Sequence, residues 1–236
     1  MDIDLTVLAA TAASVALVHT LLGPDHYLPF IVLGKTRQWS RRKVIAITTL
    51  CGIGHVGGSI ALGAIGIALG VAVGTMEFIE GTRGEWAAWA LLAFGLAYGV
   101  WGLRRAQTNR THTHPHAHAD GTVHHHHHHH RGGHVHVHDK PAASMTPWML
   151  FIVFVLGPCE PLIPLLMVPA AEHSWMGVAI IAGLFGIVTI ATMLTVVLLG
   201  VAGLGVLWIK PLERYAHALA GGAIAMCGFG MAVLGL

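Results

Sequence analysis

The sequence predicts an all-α polytopic membrane protein, with six transmembrane helices arranged as a 3+3 inverted repeat and with helices one and four broken. Three observations lead there. Hydrophobic residues make up 55% of the 236 residues and charged residues only 10%, against roughly 25% charged in an ordinary soluble domain. Apolar stretches near the ~20 residues that span a bilayer core recur six times. Twelve of the 13 Lys and Arg residues fall in three loops on one side of that pattern. This composition excludes a soluble globular enzyme, a disordered chain and a nucleic-acid binder, and no enzymatic activity is expected. Cys51, Cys159 and Cys227 are too few and too scattered for a disulfide framework or a CxxC site.

The apolar stretches are 5–33, 44–74, 86–103, 147–170, 177–208 and 215–236. The first contains His19, Asp25 and His26 and is interrupted by Gly23-Pro24 and Pro29. No small-residue cleavage site precedes it, so it reads as a retained span rather than a signal peptide. Stretches 44–74 and 177–208 exceed what one straight span needs at ~1.5 Å per residue. They must tilt, kink or extend beyond the membrane. The organisation expected is a first three-helix repeat over 1–105, a histidine-rich loop over 106–146 and a second repeat over 147–236.

Charge sets the expected orientation. Residues 35–43 carry five Lys/Arg and no acid, 106–146 and its flank add Arg104, Arg105, Arg110, Arg131 and Lys140, and 209–214 adds Lys210 and Arg214. The opposite side receives Asp2, Asp4, Glu77, Glu80, Glu85 and Glu172, with Arg83 alone against them. Basic short loops remain cytoplasmic. Both termini are therefore expected outside, in the inner membrane of a prokaryote, with the histidine-rich loop in the cytoplasm.

The halves resemble each other. Leu22-Gly23-Pro24-Asp25-His26 matches Leu156-Gly157-Pro158-Cys159-Glu160 at an offset of 134. Gly52-Ile53 matches Gly186-Ile187 at the same offset, and Gly95, Gly102 and Leu103 match Gly228, Gly235 and Leu236 at 133. Three spans per half is an odd number, so the second half would sit inverted. Inverted repeats are a frequent transporter design, with the site near the midplane where broken helices meet. Proline removes a backbone donor and disturbs the preceding turn. Free backbone at that depth is tolerated only where it is buried in protein or lines a cavity. Spans one and four are thus expected to face each other across a polar path.

His19, Asp25, His26, His55, Cys159 and Glu160 lie within apolar segments and are the candidate metal ligands. Ionisable groups at bilayer depth are costly and usually face the bundle interior. Imidazole suits Zn, Cu, Fe and Ni, and thiolate adds softness. On an unbroken helix His19 and His26 would sit ~10 Å apart along the axis, too far to share one ion. Either the Gly23-Pro24 break folds them together, or His26 with Asp25 forms the site and His19 is a gate or second stop. His55 lies among Gly52, Gly54, Gly57 and Gly58, which permit close helix packing. Thr189 is its counterpart in the second half and a weaker candidate.

The 106–146 loop holds 14 of the 19 histidines: His112, His114, His116, His118, His124, His125, His126, His127, His128, His129, His130, His134, His136 and His138. Such tracts bind metal by composition. The loop has little apolar surface to bury, so it is expected to be disordered.

The His19-Thr-Leu-Leu-Gly-Pro-Asp25-His26 stretch resembles the HxxxxDH signature of the nickel/cobalt transporters, with five residues rather than four between His19 and Asp25. Gly54-His55 resembles their second histidine motif. Six spans with a histidine-rich loop between the third and fourth resemble the RcnA-type nickel/cobalt exporters and the UreH-like permeases. The resemblance implies that His19, Asp25, His26 and His55 are substrate ligands. Gly157-Pro158-Cys159-Glu160-Pro161 with Pro164 instead resembles membrane thiol–disulfide transporters of the DsbD/CcdA type, which carry one cysteine per repeat; here the position matching Cys159 is Asp25.

The function expected is secondary transport of a divalent transition metal, nickel or cobalt first, with zinc or iron as other cargoes. Metal bound at the midplane would exchange against protons, in the direction of export. No GxxxxGK[ST] motif is present to bind ATP, and no prosthetic group is expected. The partners expected are the metal ion, the lipid bilayer, and a second copy of the chain or a cytosolic metallochaperone, but no nucleic acid. The alternatives are thiol–disulfide electron transport, or metal sensing and storage without flux.

Overall fold

The structure, a computed structural model, describes residues 5–108, 112–117, 123–128, 145–172, 174–207 and 214–234. The chain forms α1 (Leu5–Leu22), a 3-10 turn (Pro24–His26), α2 (Leu28–Thr36), α3 (Arg41–Ala68) and α4 (Val73–Thr108). Two short strands follow, β1 (His112–Ala117) and β2 (Val123–His128). The chain continues with α5 (Met145–Leu156), α6 (Leu162–Ala171), α7 (Trp175–Leu207) and α8 (Ala216–Phe229), the last extended by a π turn over Gly230–Leu234.

Among the described residues, five helices are long and apolar enough to cross a membrane: Leu5–Leu22, Arg41–Ala68, Val73–Gln107, Trp175–Gly203 and Ala216–Val233. Many of their large apolar side chains face outward, among them Leu22, Phe78, Trp86, Ile187 and Leu199. An outward apolar surface of that kind is what lipid solvates. Two shorter apolar helices, α5 and α6, flank Gly157–Pro161. The breaks therefore fall at both Gly-Pro pairs.

Helix ends follow local chemistry. Ser40, with extended backbone, caps α3 by accepting from the Lys43 N–H at 3.3 Å. The α3–α4 turn needs a left-handed residue, and Gly70 supplies it at φ +66°. There the Val71 N–H closes onto the Gly66 carbonyl at 2.9 Å.

One boundary differs from expectation. The third span was expected to begin near residue 86, after an acidic external loop, but α4 already begins at Val73. Glu80 lies within it and is fully buried. The reason is local: Glu80 and Arg83 stand at i,i+3 on one helical face and pair at 2.8 Å. Averaged hydropathy registers the charges and not their mutual neutralisation.

Within the segment expected to lack structure, β1 and β2 pair antiparallel, with His112 opposite His128 and His116 opposite His124. The alternation of His with Thr, Pro and Ala over 112–117 has the period of a strand. The remainder of that expectation, including His118, His129, His130, His134, His136 and His138, lies outside the described residues.

The first broken helix and the second pack reciprocally. α1 lies on α7 and α5 on α3, α2 contacts α7 and α6 contacts α3, while α3 meets α7 and α4 runs along α8. The α4–α8 approach is backbone to backbone: Gly95 faces Ala225, Gly221 faces Gly99, and Gly228 faces Leu92 and Ala88. A side chain at Gly95, Gly221 or Gly228 would overlap the opposite main chain. One apolar core gathers Phe30, Leu33, Leu91, Phe154, Met193 and Ile224; a second gathers Ala12, Ala16, Val56, Leu162, Ile181 and Phe185. The polar side chains described next come from the same interior-facing elements.

Candidate metal centre

The first break brings three histidines together. α1 ends as the Gly23 N–H bonds the His19 carbonyl at 3.0 Å, Gly23 turns extended (φ −87°, ψ 96°), and Pro24 starts a tighter turn. The turn closes through the His26 N–H to the Gly23 carbonyl at 3.1 Å. It folds His26 back onto His19, with ring centroids 4.9 Å apart. The rings are thus about half as far apart as an unbroken helix would hold them. α3 presents His55 from the other side, its ring 4.9 Å from His26 and 6.4 Å from His19. One ligand nitrogen from each of the three lies within 4.8 Å of the other two.

Hydrogen bonds orient these rings. His26 Nδ1 lies 3.2 Å from both the Gly23 carbonyl and an Asp25 carboxylate oxygen. Both are acceptors, so Nδ1 is protonated and donates to them. The His55 ring packs edge-on against the Phe154 ring near the end of α5, with centroids 6.2 Å apart. His26 Nε2 and His55 Nε2 face each other at 3.3 Å. Two nitrogens ~2.0–2.1 Å from one ion in tetrahedral geometry are separated by about 3.3–3.4 Å. His19 Nε2 is buried and has no hydrogen-bond partner. Imidazoles fixed through one nitrogen with the other converging are the usual construction of a transition-metal site.

Asp25 takes a different place from the one expected. It lies behind His26, on Nδ1, rather than among the converging nitrogens. A carboxylate there holds the ring's orientation. Cys159 and Glu160 also stand apart from the imidazole group. Cys159 is fully buried in the second apolar core, and Glu160 is exposed beside Gly81. All three cysteines are free and buried.

The second break is built on a network that sequence reading missed. Arg83 on α4 donates to the Leu156 carbonyl at 3.2 Å and the Gly157 carbonyl at 2.9 Å, the last acceptors of α5. It also donates to Ser59 Oγ at 2.7 Å and pairs with Glu80 at 2.8 Å. Glu80 Oε2 accepts from Ser59 and from the Cys159 N–H, each at 3.1 Å. Carbonyls orphaned at a helix end carry partial negative charge, and Arg83 meets it. The available signal was spacing: Ser59 follows His55 by one helical turn on α3, so one face of α3 serves both breaks.

Comparison with family models, with characterised proteins and with solved structures finds no match. The chain's class therefore rests on its own features: a predominantly helical protein with, among the described residues, five helices fit to cross a membrane and a buried three-histidine cluster that could hold a metal ion.

Proposed function

We propose that this chain is a secondary transporter of a divalent transition-metal ion, nickel or cobalt first, in which the ion is cargo held transiently by His19, His26 and His55. The observation that carries this reading is the convergence of the three buried imidazoles at a helix break, with Nε2 of His26 and His55 turned toward each other at 3.3 Å. A permanent structural site does not need a broken helix. Transporter sites are typically formed by such discontinuous helices near the bilayer midplane.

The reciprocal packing of the broken helices on α7 and α3 supports a 3+3 inverted repeat spanning the membrane six times. His55 contacts His26 at the first break and Phe154 near the end of α5 at the second, which suits a helix that reports movement of one half to the other. The proposed sidedness places both termini outside a prokaryotic inner membrane and the 106–146 histidines in the cytoplasm, where they would collect ions before export. Arrival of a cation displaces protons from imidazole, so exchange against protons is the natural coupling. The chemistry derived for this chain's residues is binding and release: imidazole nitrogen replaces water on the ion, and Asp25 balances part of its charge through His26.

The test is metal flux in sealed proteoliposomes, comparing Ni, Co, Zn and Fe across wild type, His26→Ala and a deletion of 112–138. Flux lost in His26→Ala and retained without the loop supports the embedded site as the transport site. Binding without flux for every metal would replace transport by sensing or storage. Loss in Cys159→Ser with His26→Ala unaffected would favour thiol–disulfide exchange.

A further inference from the structure

Thr189 on α7 is fully buried, yet its hydroxyl has no hydrogen-bond partner. Thr48 on α3 shares this state, but five other helical threonines behave differently. Thr11, Thr20, Thr36, Thr82 and Thr195 each donate to the carbonyl four residues back. A helical threonine divides between two rotamers according to whether its hydroxyl takes such a carbonyl. Thr189 forgoes that bond, although an unpaired buried hydroxyl is costly.

Its position identifies what it faces. α7 meets α3 closely where Gly52 lies against Ile190 and Met193, and where Gly186 lies against Val56. These contacts bracket Thr189 opposite the turn of α3 that carries His55. On its other flank, Ile181 and Phe185 of α7 share an apolar cluster with Leu8, Ala12 and Ala16 of α1. One turn further, each stripe turns polar: α1 presents His19 and α7 presents Thr189. His19 Nε2 is likewise buried without a partner. Two unsatisfied polar groups thus border the interior that holds the imidazoles. Thr189 also stands at the repeat position of His55.

We propose that Thr189 Oγ1 is the oxygen donor of this site, binding the cation opposite the imidazoles of His19, His26 and His55 to give a three-nitrogen, one-oxygen set. This assignment rests on the reading of the histidine cluster as an ion site. A neutral hydroxyl is the weakest of the four donors, so it adds coordination without the charge that would trap the ion. In the repeat, one half contributes a strong donor and the other a weak one at equivalent places.

Cobalt(II) binding to the purified full chain tests this, read by titration and by visible ligand-field absorption. Thr189→Val removes the hydroxyl at constant shape and is expected to weaken cobalt binding about tenfold, with an altered spectrum, in line with the ~10–100-fold losses seen when groups supporting a metal site are removed. Thr189→Ser is expected to stay within about twofold of wild type, on the same reasoning that its hydroxyl remains to serve the site. Thr189→Cys is expected to add a thiolate-to-cobalt charge-transfer band above the wild-type level, a gain of signal that a purely structural residue would not produce. Thr48→Val is the control: it removes another buried, unpartnered hydroxyl, about 10 Å along α3 from His55, and is expected to leave the spectrum unchanged. Wild-type affinity and spectrum in Thr189→Val, or no new band in Thr189→Cys, would overturn the assignment while leaving the three-histidine site standing. Absence of cobalt binding by the wild type would overturn both.

Discussion

The two helix breaks share a Leu-Gly-Pro sequence and have opposite polar economies. At Gly23–Tyr27 the break turns side chains inward and seals nothing from other helices: Nε2 of His26 and His55 meet only each other at 3.3 Å, and Nε2 of His19 has no partner. At Gly157–Pro161 the break is closed by groups from other helices. Arg83 takes two carbonyls, and Glu80 and Ser59 take the Cys159 N–H. The difference shows that a helix break is not itself a site. It becomes one when its polar groups remain unmatched within the protein and point at a common place.

The largest expected effect comes from opening the matched break. Arg83→Ala would leave Glu80 buried and uncompensated, a defect that costs about 3–5 kcal/mol. Equilibrium unfolding in detergent should show that loss, whereas removing Glu80 and Arg83 together, as Glu80→Gln with Arg83→Met, should cost clearly less than either alone. Equal losses for the single and double variants would mean that the pair is not the closure.

Ser59→Ala should come next. It removes the hydroxyl that joins Arg83, Glu80 and the Cys159 N–H, and hydrogen bonds to charged groups contribute about 1.5–3 kcal/mol. The same unfolding measurement reads it. Cobalt affinity should change little, because Ser59 does not touch the imidazoles.

Asp25→Asn tests the unmatched break. The amide can still meet His26 Nδ1 but supplies no negative charge, so cobalt affinity should fall about 10–100-fold while stability is largely kept. Unaltered affinity would show that the carboxylate plays no part in holding the ring for metal. The smallest effect is expected for Cys159→Ser, whose thiol lies in an apolar cluster away from the histidines. A change of more than about twofold in cobalt affinity, well short of the 10–100-fold that loss of a supporting group brings, would return Cys159 to the ligand set and undo the contrast between the breaks.

The Gly-Pro pairs were legible because proline's missing N–H and fixed φ act locally, whatever surrounds them. His26 and His55 were legible because imidazole in an apolar helix is conspicuous. Glu80 and Arg83 were not, since their charges suggested a water-exposed loop and only the folded chain brings Ser59, Leu156 and Gly157 to them. The repeat pointed to Glu160 and Cys159 as counterparts of His26 and Asp25. Yet equivalent backbone positions do not carry equivalent side-chain roles once one half is closed by an ion pair.

The sequence by itself determined the apolar helices, the position of both breaks and the residue types at the first of them. These follow from hydropathy, backbone sterics and composition, which each residue brings without reference to its neighbours in space. Only the tertiary structure decided that His19, His26 and His55 meet, that Asp25 stands behind His26, and that the second break is sealed. Those outcomes depend on how α3 passes both breaks and on which polar atoms find partners at ~3 Å, and contacts between residues far apart in the chain leave no periodic trace in it.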